Sequence, residues 1–301
     1  MRVIVTGATS FIGRAVTEGL LKEGCQVLAV VRPDSPGREV LAKLPGVTIL
    51  PSSLKDIGEL ALPEGAPSPT HWLHMGWEGA GSVNRQNPEL QAKNIGYAME
   101  ALKAAARLGC GRFLFTGSQA EYGISAEPMR EDMECHPVSE YGKNKLKVCR
   151  QAAEAAEALG VEYIHARVFS VYGPGDHPWS LISTCVDTFL KGGLMEMGPC
   201  TQLWNFLYVT EAARVLVQLL LGKVPAGVYN VAGEDTRPLR DYIEELYELC
   251  GRKGSCRFGS RPPNAEGAVS LVPDLSRLRA AVGFRQEIPF EEGIRRLIAA
   301  R

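Results

Sequence analysis

The sequence predicts an α/β protein built on a doubly wound parallel sheet, with a smaller C-terminal lobe. Three observations lead there: apolar runs alternate with amphipathic helical stretches, a glycine turn follows the first run, and the rhythm breaks after Tyr172. Short buried runs separated by helices mark parallel βαβ units, whose right-handed crossovers place helices on both faces. RVIVT at the N-terminus reads as the first strand, followed by a helix reaching Leu21. QVLAVV, GVTIL and HWLHM follow as strands two to four. A helix is expected from Glu89 to Leu108, a fifth strand over GRFLFT, an alanine-rich helix from Tyr141 to Leu159 and a sixth strand over VEYIHARVF. Past the GPGDHP turn, a helix is expected near Leu181–Leu190. FLYV with its following helix, and VYNVAG, are expected to return to the sheet. Helices near Leu239–Leu249, Leu275–Ala281 and Phe290–Ala300 belong to the smaller lobe. The expected division is a sheet domain over 1–171, with 204–232 returning to it, and a lobe from 172–203 and 233–301. Such a lobe closes over the carboxyl ends of the strands, where open α/β sheets bind ligands.

Bulk composition narrows the function classes. The 301 residues suffice for a sizeable core, and 33 basic residues balance 34 acidic ones. That balance offers no basic field for nucleic acid. The N-terminus meets a glycine too soon for a signal peptide, and no apolar run reaches membrane length, so a cytoplasmic protein is expected. Eight cysteines lie scattered without CxxC spacing, which suits free thiols in a reducing compartment. His71 and His74 have metal-like spacing, but a strand sends residues three apart to opposite faces, so no metal is expected.

TGATSFIG places Gly7 and Gly13 between the first strand and first helix. Glycine there lets the backbone approach a pyrophosphate, which the free N–H groups of the helix start can bind. The second strand ends in AVVRPDSPGR, with no acid at its tip. Arg32, with Ser35 and Arg38, suits a 2′-phosphate on the adenosine ribose, so NADP(H) is favoured, with NAD(H) as the alternative.

In YGKNK, Tyr141 and Lys145 stand at i and i+4, on one helical face. Free tyrosine has a pKa of about 10 and is a poor acid–base group at neutral pH. Lowering it by about 3 units takes roughly 4 kcal/mol, which a buried ammonium and a cationic cofactor ring can supply. Tyr141 would then exchange a proton with a substrate oxygen that Ser118, at the end of the fifth strand, orients and polarises.

With these features in this order, the sequence resembles the extended short-chain dehydrogenase/reductase family of nucleotide-sugar epimerases, dehydratases and ketoreductases, almost from end to end. TGATSFIG resembles its cofactor loop, LHMGW its fourth-strand segment, NPELQAKNIG its fourth-helix start, RFLFTGSQAEYG and PVSEYGKNK its serine and tyrosine–lysine segments, and ARVFSVYGPG its sixth-strand exit. The resemblance implies a Rossmann-type domain and a homodimer paired through the helices carrying Asn94 and Tyr141. It implies Ser118, Tyr141 and Lys145 as catalytic residues. The implied cofactor contacts are Gly7, Thr9, Ser10, Phe11, Ile12 and Gly13 in the loop, Arg32 and Ser35 after the second strand, and Ser53 and Leu54 after the third. Met75, Gly76, Trp77, Asn94, Thr116, Tyr141, Lys145 and Val168 complete that set. Ser118, Gln119, Ser170, Trp204, Asn205 and Arg261 are the implied substrate contacts.

Departures from the family pattern bear on the substrate. Ser10 replaces a loop glycine, Ser53 an aspartate near the adenine, and Ser170 an asparagine near the substrate. Trp204 and Asn205 replace an Arg–Asp pair whose arginine holds substrate phosphate, while Arg261 resembles a second phosphate-binding arginine. After Ser118 come Gln119 and Ala120, which cannot serve as the acid or base that eliminating water from a sugar requires. Glu121 comes one position late and, on an extended strand, would point to the other face. Dehydration is therefore disfavoured. Reduction of a 4-keto group on a nucleotide-linked sugar is the leading reading, with a 4-epimerase that retains its cofactor, a non-sugar carbonyl reductase and a non-catalytic NAD(P) sensor as alternatives.

Overall fold

Each early apolar run becomes a strand whose neighbouring residues alternate between two helical layers. The computed structural model describes residues 1–261 and 269–301. Along the chain the elements are β1 (Arg2–Thr6), α1 (Phe11–Lys22), β2 (Gln26–Val31), α2 (Arg38–Ala42), β3 (Val47–Pro51) and β4 (His71–His74). There follow α3 (Pro88–Arg107), β5 (Arg112–Ser118), α4 (Glu140–Leu159), β6 (Glu162–Val168), β7 (Ser170–Tyr172) and α5 (Leu181–Leu190). The last third holds β8 (Leu194–Glu196), β9 (Leu203–Tyr208), α6 (Val209–Leu221), β10 (Gly227–Val231) and β11 (Thr236–Pro238). It ends with α7 (Leu239–Leu249), β12 (Ser255–Arg257), α8 (Ser276–Val282) and α9 (Phe290–Ala299).

Seven parallel strands form the central sheet in the order β3-β2-β1-β4-β5-β6-β10. The order reverses direction between β1 and β4, which opens a crevice at their carboxyl ends. On one face Val3, Val5, Leu73 and Leu114 pack with Val16 and Leu20 of α1 and Val215, Leu216 and Leu219 of α6. On the other, Ile4, Trp72, Phe113 and Phe115 pack with Ala98, Ala101 and Leu102 of α3 and Val148, Ala152 and Ala156 of α4. This period-two division explains why the strands read as continuous apolar runs. Ala152 and Ala156 thus face the sheet, while Ala153 and Leu159 are exposed.

The smaller lobe has its own aromatic core of Tyr172, Phe189, Phe206, Tyr242 and Phe290. Its sheet runs β11-β9-β7, and β8 pairs with β12. Here one expectation is corrected. Phe206–Tyr208 of the FLYV run lie in β9, which does not return to the central sheet: it runs parallel to β7 and antiparallel to β11, and Val209 opens α6. Only α6 and β10 of the 204–232 segment return to the sheet domain, where β10 takes the place beside β6. Four apolar residues in a row identify a buried strand but not the sheet that buries it.

Candidate active site

The site grows from the carboxyl ends of β1, β2, β4, β5 and β6. Gly7 has φ +75°, and a Cβ there would come within 3.0 Å of the Met75 carbonyl carbon and 3.1 Å of the Gly76 nitrogen. Only glycine combines that conformation with so close an approach. Ser10, at φ −71°, caps α1 by accepting a hydrogen bond from the Gly13 amide at 3.1 Å, so a serine is unstrained there. The amides of Phe11 and Ile12 belong to the first turn, whose donors point at an anion rather than at helical carbonyls. Ser35 Oγ donates to Thr9 Oγ1 at 3.3 Å, which joins the tip of β2 to the glycine turn. The Arg32 side chain is largely exposed and stands 4.0 Å from Asp34. Ser53 donates to an Asp56 carboxylate oxygen at 2.6 Å, so a carboxylate that sequence reasoning missed stands beside this position. Leu54 packs on Gly76, and Thr116 Oγ1 donates to the His74 carbonyl at 3.3 Å. Val168 is half-buried at the end of β6. A glycine turn, a helix start and the polar tip of β2 along one crevice fit a nicotinamide dinucleotide.

Tyr141 and Lys145 lie in the first two turns of α4, whose N-cap Ser139 accepts from the Gly142 amide at 3.2 Å. Gly142 lies so close to the Ala120 carbonyl that a Cβ could not fit between them. This contact sets the tyrosine's turn beside the end of β5. Lys145 is 3% exposed, and its Nζ donates to the Thr116 carbonyl at 2.7 Å. The ammonium lies 4.0 Å from the Trp77 ring centroid and 4.5 Å from that of Phe115. Burial pushes its pKa down to about 7, against a partial pull from Glu121. Ser118 is buried; its hydroxyl donates to Gln119 Oε1 at 3.2 Å and accepts from the Ala120 amide at 3.2 Å.

Behind Ser118 lies a second buried cluster. Residues Gln119–Glu121 form a 3-10 turn rather than an extended strand, which corrects the reason given for Glu121. Its carboxylate accepts from the Ser118 amide at 2.8 Å, from His165 Nε2 at 2.9 Å and from Arg167 Nε at 2.9 Å. Burial alone would raise Glu121, but the charges of His165 and Arg167 outweigh it and hold the group at about 2. Burial likewise opposes protonation of His165, and the Glu121 carboxylate overrides it, raising the imidazole to about 9. Cys149 joins Glu121 and His165 with ligand-type atoms within 4.8 Å of one another, but the neighbouring Arg167 makes the cluster a salt-bridged network rather than a cation site.

Beyond Gln119 and Ser139 opens a pocket of about 470 Å³, lined by Met195, Met197, Pro199, Leu239 and Leu271 and by Trp204, Gln202 and Arg261. Gln119, Trp204 and Arg261 are therefore brought together, whereas Ser170 opens β7 outside this lining. Two expected contacts are engaged within the protein. Asn205 is fully buried, with its amide donating to the Gly233 and Asp235 carbonyls at 2.8 and 2.7 Å, so it ties β9 to the segment before β11. Asn94 is enclosed and braces the segment after β4, pairing with both the amide and the carbonyl of Glu78 at 2.7 and 3.1 Å. Sequence reasoning also passed over Arg85, which stacks on Tyr141. It lies in an irregular segment without a motif. His71 and His74 part as expected: His71 pairs with Thr70, and His74 is buried against Thr6.

Residues 3–232 match the NAD dependent epimerase/dehydratase family. The chain belongs to that family. It is accordingly an enzyme of the short-chain dehydrogenase/reductase type. It is 26% identical to a dTDP-4-dehydro-6-deoxy-D-allose reductase of Streptomyces bikiniensis, over 97% of this chain and 93% of that protein. It is 27% identical to a UDP-glucose 4-epimerase of Corynebacterium glutamicum, over 95% of this chain and 91% of that one. Its fold matches that of a Thermus thermophilus UDP-glucose 4-epimerase solved in complex with NAD, with a TM-score of 0.86 and 23% identity over 100% and 98% of the two chains. Among the described residues no helix is long and apolar enough to cross a membrane.

Proposed function

We propose that this enzyme reduces the 4-keto group of a nucleotide-linked sugar, with NADPH preferred over NADH. The observation that carries this reading is the commitment of Glu121 to His165 and Arg167. The turn after Ser118 therefore offers a hydroxyl beside Tyr141 and Lys145, but no free carboxyl group for elimination. A bound nicotinamide supplies the hydride. Ser118 turns its hydroxyl from Gln119 to the substrate carbonyl oxygen, and Tyr141 delivers the proton that the resulting alkoxide takes up. Lys145, held by the Thr116 carbonyl, offsets the charge left on the phenolate. Arg261 suits a substrate phosphate, and Trp204 gives the pocket a flat face for a base. The exposed Arg32, with Ser35 and Arg38 nearby, supports the choice of phosphorylated cofactor. A second copy of the chain, docked through α3 and α4, is the proposed partner; light scattering reads that directly.

The test follows cofactor absorbance with a dTDP-linked 4-dehydro-6-deoxy sugar as the substrate. One NADPH should be consumed per sugar reduced, with NADH at least about tenfold less effective, as one lost phosphate contact predicts. The second reading, 4-epimerisation, rests on the likeness to the Corynebacterium enzyme. Inversion at C4 of UDP-glucose without net cofactor consumption would replace the first reading with it.

A further inference from the structure

Arg85 lies between β4 and α3, outside every motif of the site. Its guanidinium carbon stands 4.6 Å from the centroid of the Tyr141 ring, nearer than the Lys145 ammonium at 5.6 Å. The backbone fixes this stack: the Tyr141 amide donates to the Arg85 carbonyl at 2.9 Å, and the Glu140 amide donates to Gln86 Oε1 at 3.3 Å. Gln91 anchors the same segment by donating to the Asn84 and Gly79 carbonyls at 3.0 and 2.8 Å. Asn87 then caps α3.

We infer that Arg85 is a positioning residue for proton transfer, a second cation that stabilises the phenolate of Tyr141 from the face of its ring. A cation over a neutral ring is held by the ring quadrupole, and it is held more strongly once the ring carries a full negative charge. Stacking therefore favours the ionised form. Among the described residues, the charged groups around Tyr141 come from several neighbouring elements. From α4 come Lys145 and Glu140, the latter paired with Lys143 at 2.7 Å. Arg85 comes from the segment before α3, and Glu78 follows Trp77, whose ring meets Tyr141 edge-on at 5.9 Å. Glu121 lies in the turn after β5, with its charge spent on His165 and Arg167. Lys145 divides its charge among two aromatic faces and a carbonyl and is a weakened base, whereas a guanidinium keeps its charge throughout the working range. Two cations on one phenol divide work that a lone lysine would do unaided.

The inference rests on Tyr141 being the proton-transfer group, and the experiment separates the two ideas. Tyrosinate absorbance is titrated in the intact protein and in Arg85→Gln, each time subtracting the same background carrying Tyr141→Phe. The Tyr141 midpoint should rise by roughly one pH unit in Arg85→Gln and be largely restored in Arg85→Lys. In the reduction direction, where Tyr141 must be protonated to deliver its proton, the alkaline limb of kcat/KM should move up by the same amount. An unmoved midpoint in a protein with unchanged circular dichroism overturns the inference. So does a fall in activity that is equal at every pH, which is the mark of a purely structural role. If Tyr141→Phe retained full turnover, the reaction mechanism would fall, yet the titration would still report what Arg85 does to the phenol.

Discussion

Two buried charged clusters flank the end of β5, and they solve the same problem in opposite ways. Lys145 is enclosed with no carboxylate in contact among the described residues, its ammonium held by two aromatic faces and the Thr116 carbonyl. Glu121, His165 and Arg167 are enclosed as mutual counter-ions. Burial wins in the first cluster and drives Lys145 down to about 7; attraction wins in the second and keeps all three ions charged. The uncompensated cluster is poised to change charge near neutrality, which is what proton transfer needs. The compensated cluster cannot change charge cheaply, and what it holds is the Ser118 turn.

The largest effect should come from emptying the poised side. Tyr141→Phe should cut turnover by about 10²–10⁴-fold while cofactor titration by fluorescence remains close to normal. Turnover within a few fold of the parent would contradict the mechanism. Glu121→Gln breaks the compensated side and strands the Arg167 charge, at a cost of about 3–5 kcal/mol in urea denaturation. A loss below about 1 kcal/mol would mean that water or a neighbour already shares that charge.

The smallest of these effects has the most distinctive sign. Between about pH 7 and 10.5 the unfolded chain binds a proton at Lys145 that the folded protein gives up, so this residue's contribution to stability improves as pH rises. His165 runs the other way: its contribution is full below 6.5 and is lost as pH rises through about 9. Lys145→Met should therefore stabilise the fold at pH 7 by roughly 2–4 kcal/mol, with the gain vanishing toward pH 10.5, while activity collapses. A destabilised Lys145→Met at neutral pH would show that the aromatic cage holds the ammonium more favourably than water does.

Legibility in the sequence followed periodicity. α3, α4, α5, α7 and α9 lie within a residue or two of expectation because long amphipathic stretches and their caps are redundant signals. The three-residue strands β7, β8, β11 and β12 and the short α2 carry too few residues for any period to show. Ser118, Tyr141 and Lys145 could be read because their order along the fold is informative. Arg85 and Asp56 could not: each acts through a contact across irregular chain. Asn205 shows a related limit. Its place in a family motif marked it as a substrate contact, whereas in the structure two backbone carbonyls take up its amide.

The contact between Gly142 and the Ala120 carbonyl has a consequence for how this site can vary. The spacing of the hydroxyl-bearing turn and the phenol-bearing helix is gauged by a missing atom. An alanine at 142 would leave α4 intact, since alanine is the better helix former, and yet wedge the Ser118 turn and the Tyr141 helix apart. A gain in local helix propensity there is a loss of register between turn and helix, so the position is closed to a substitution that most helices welcome.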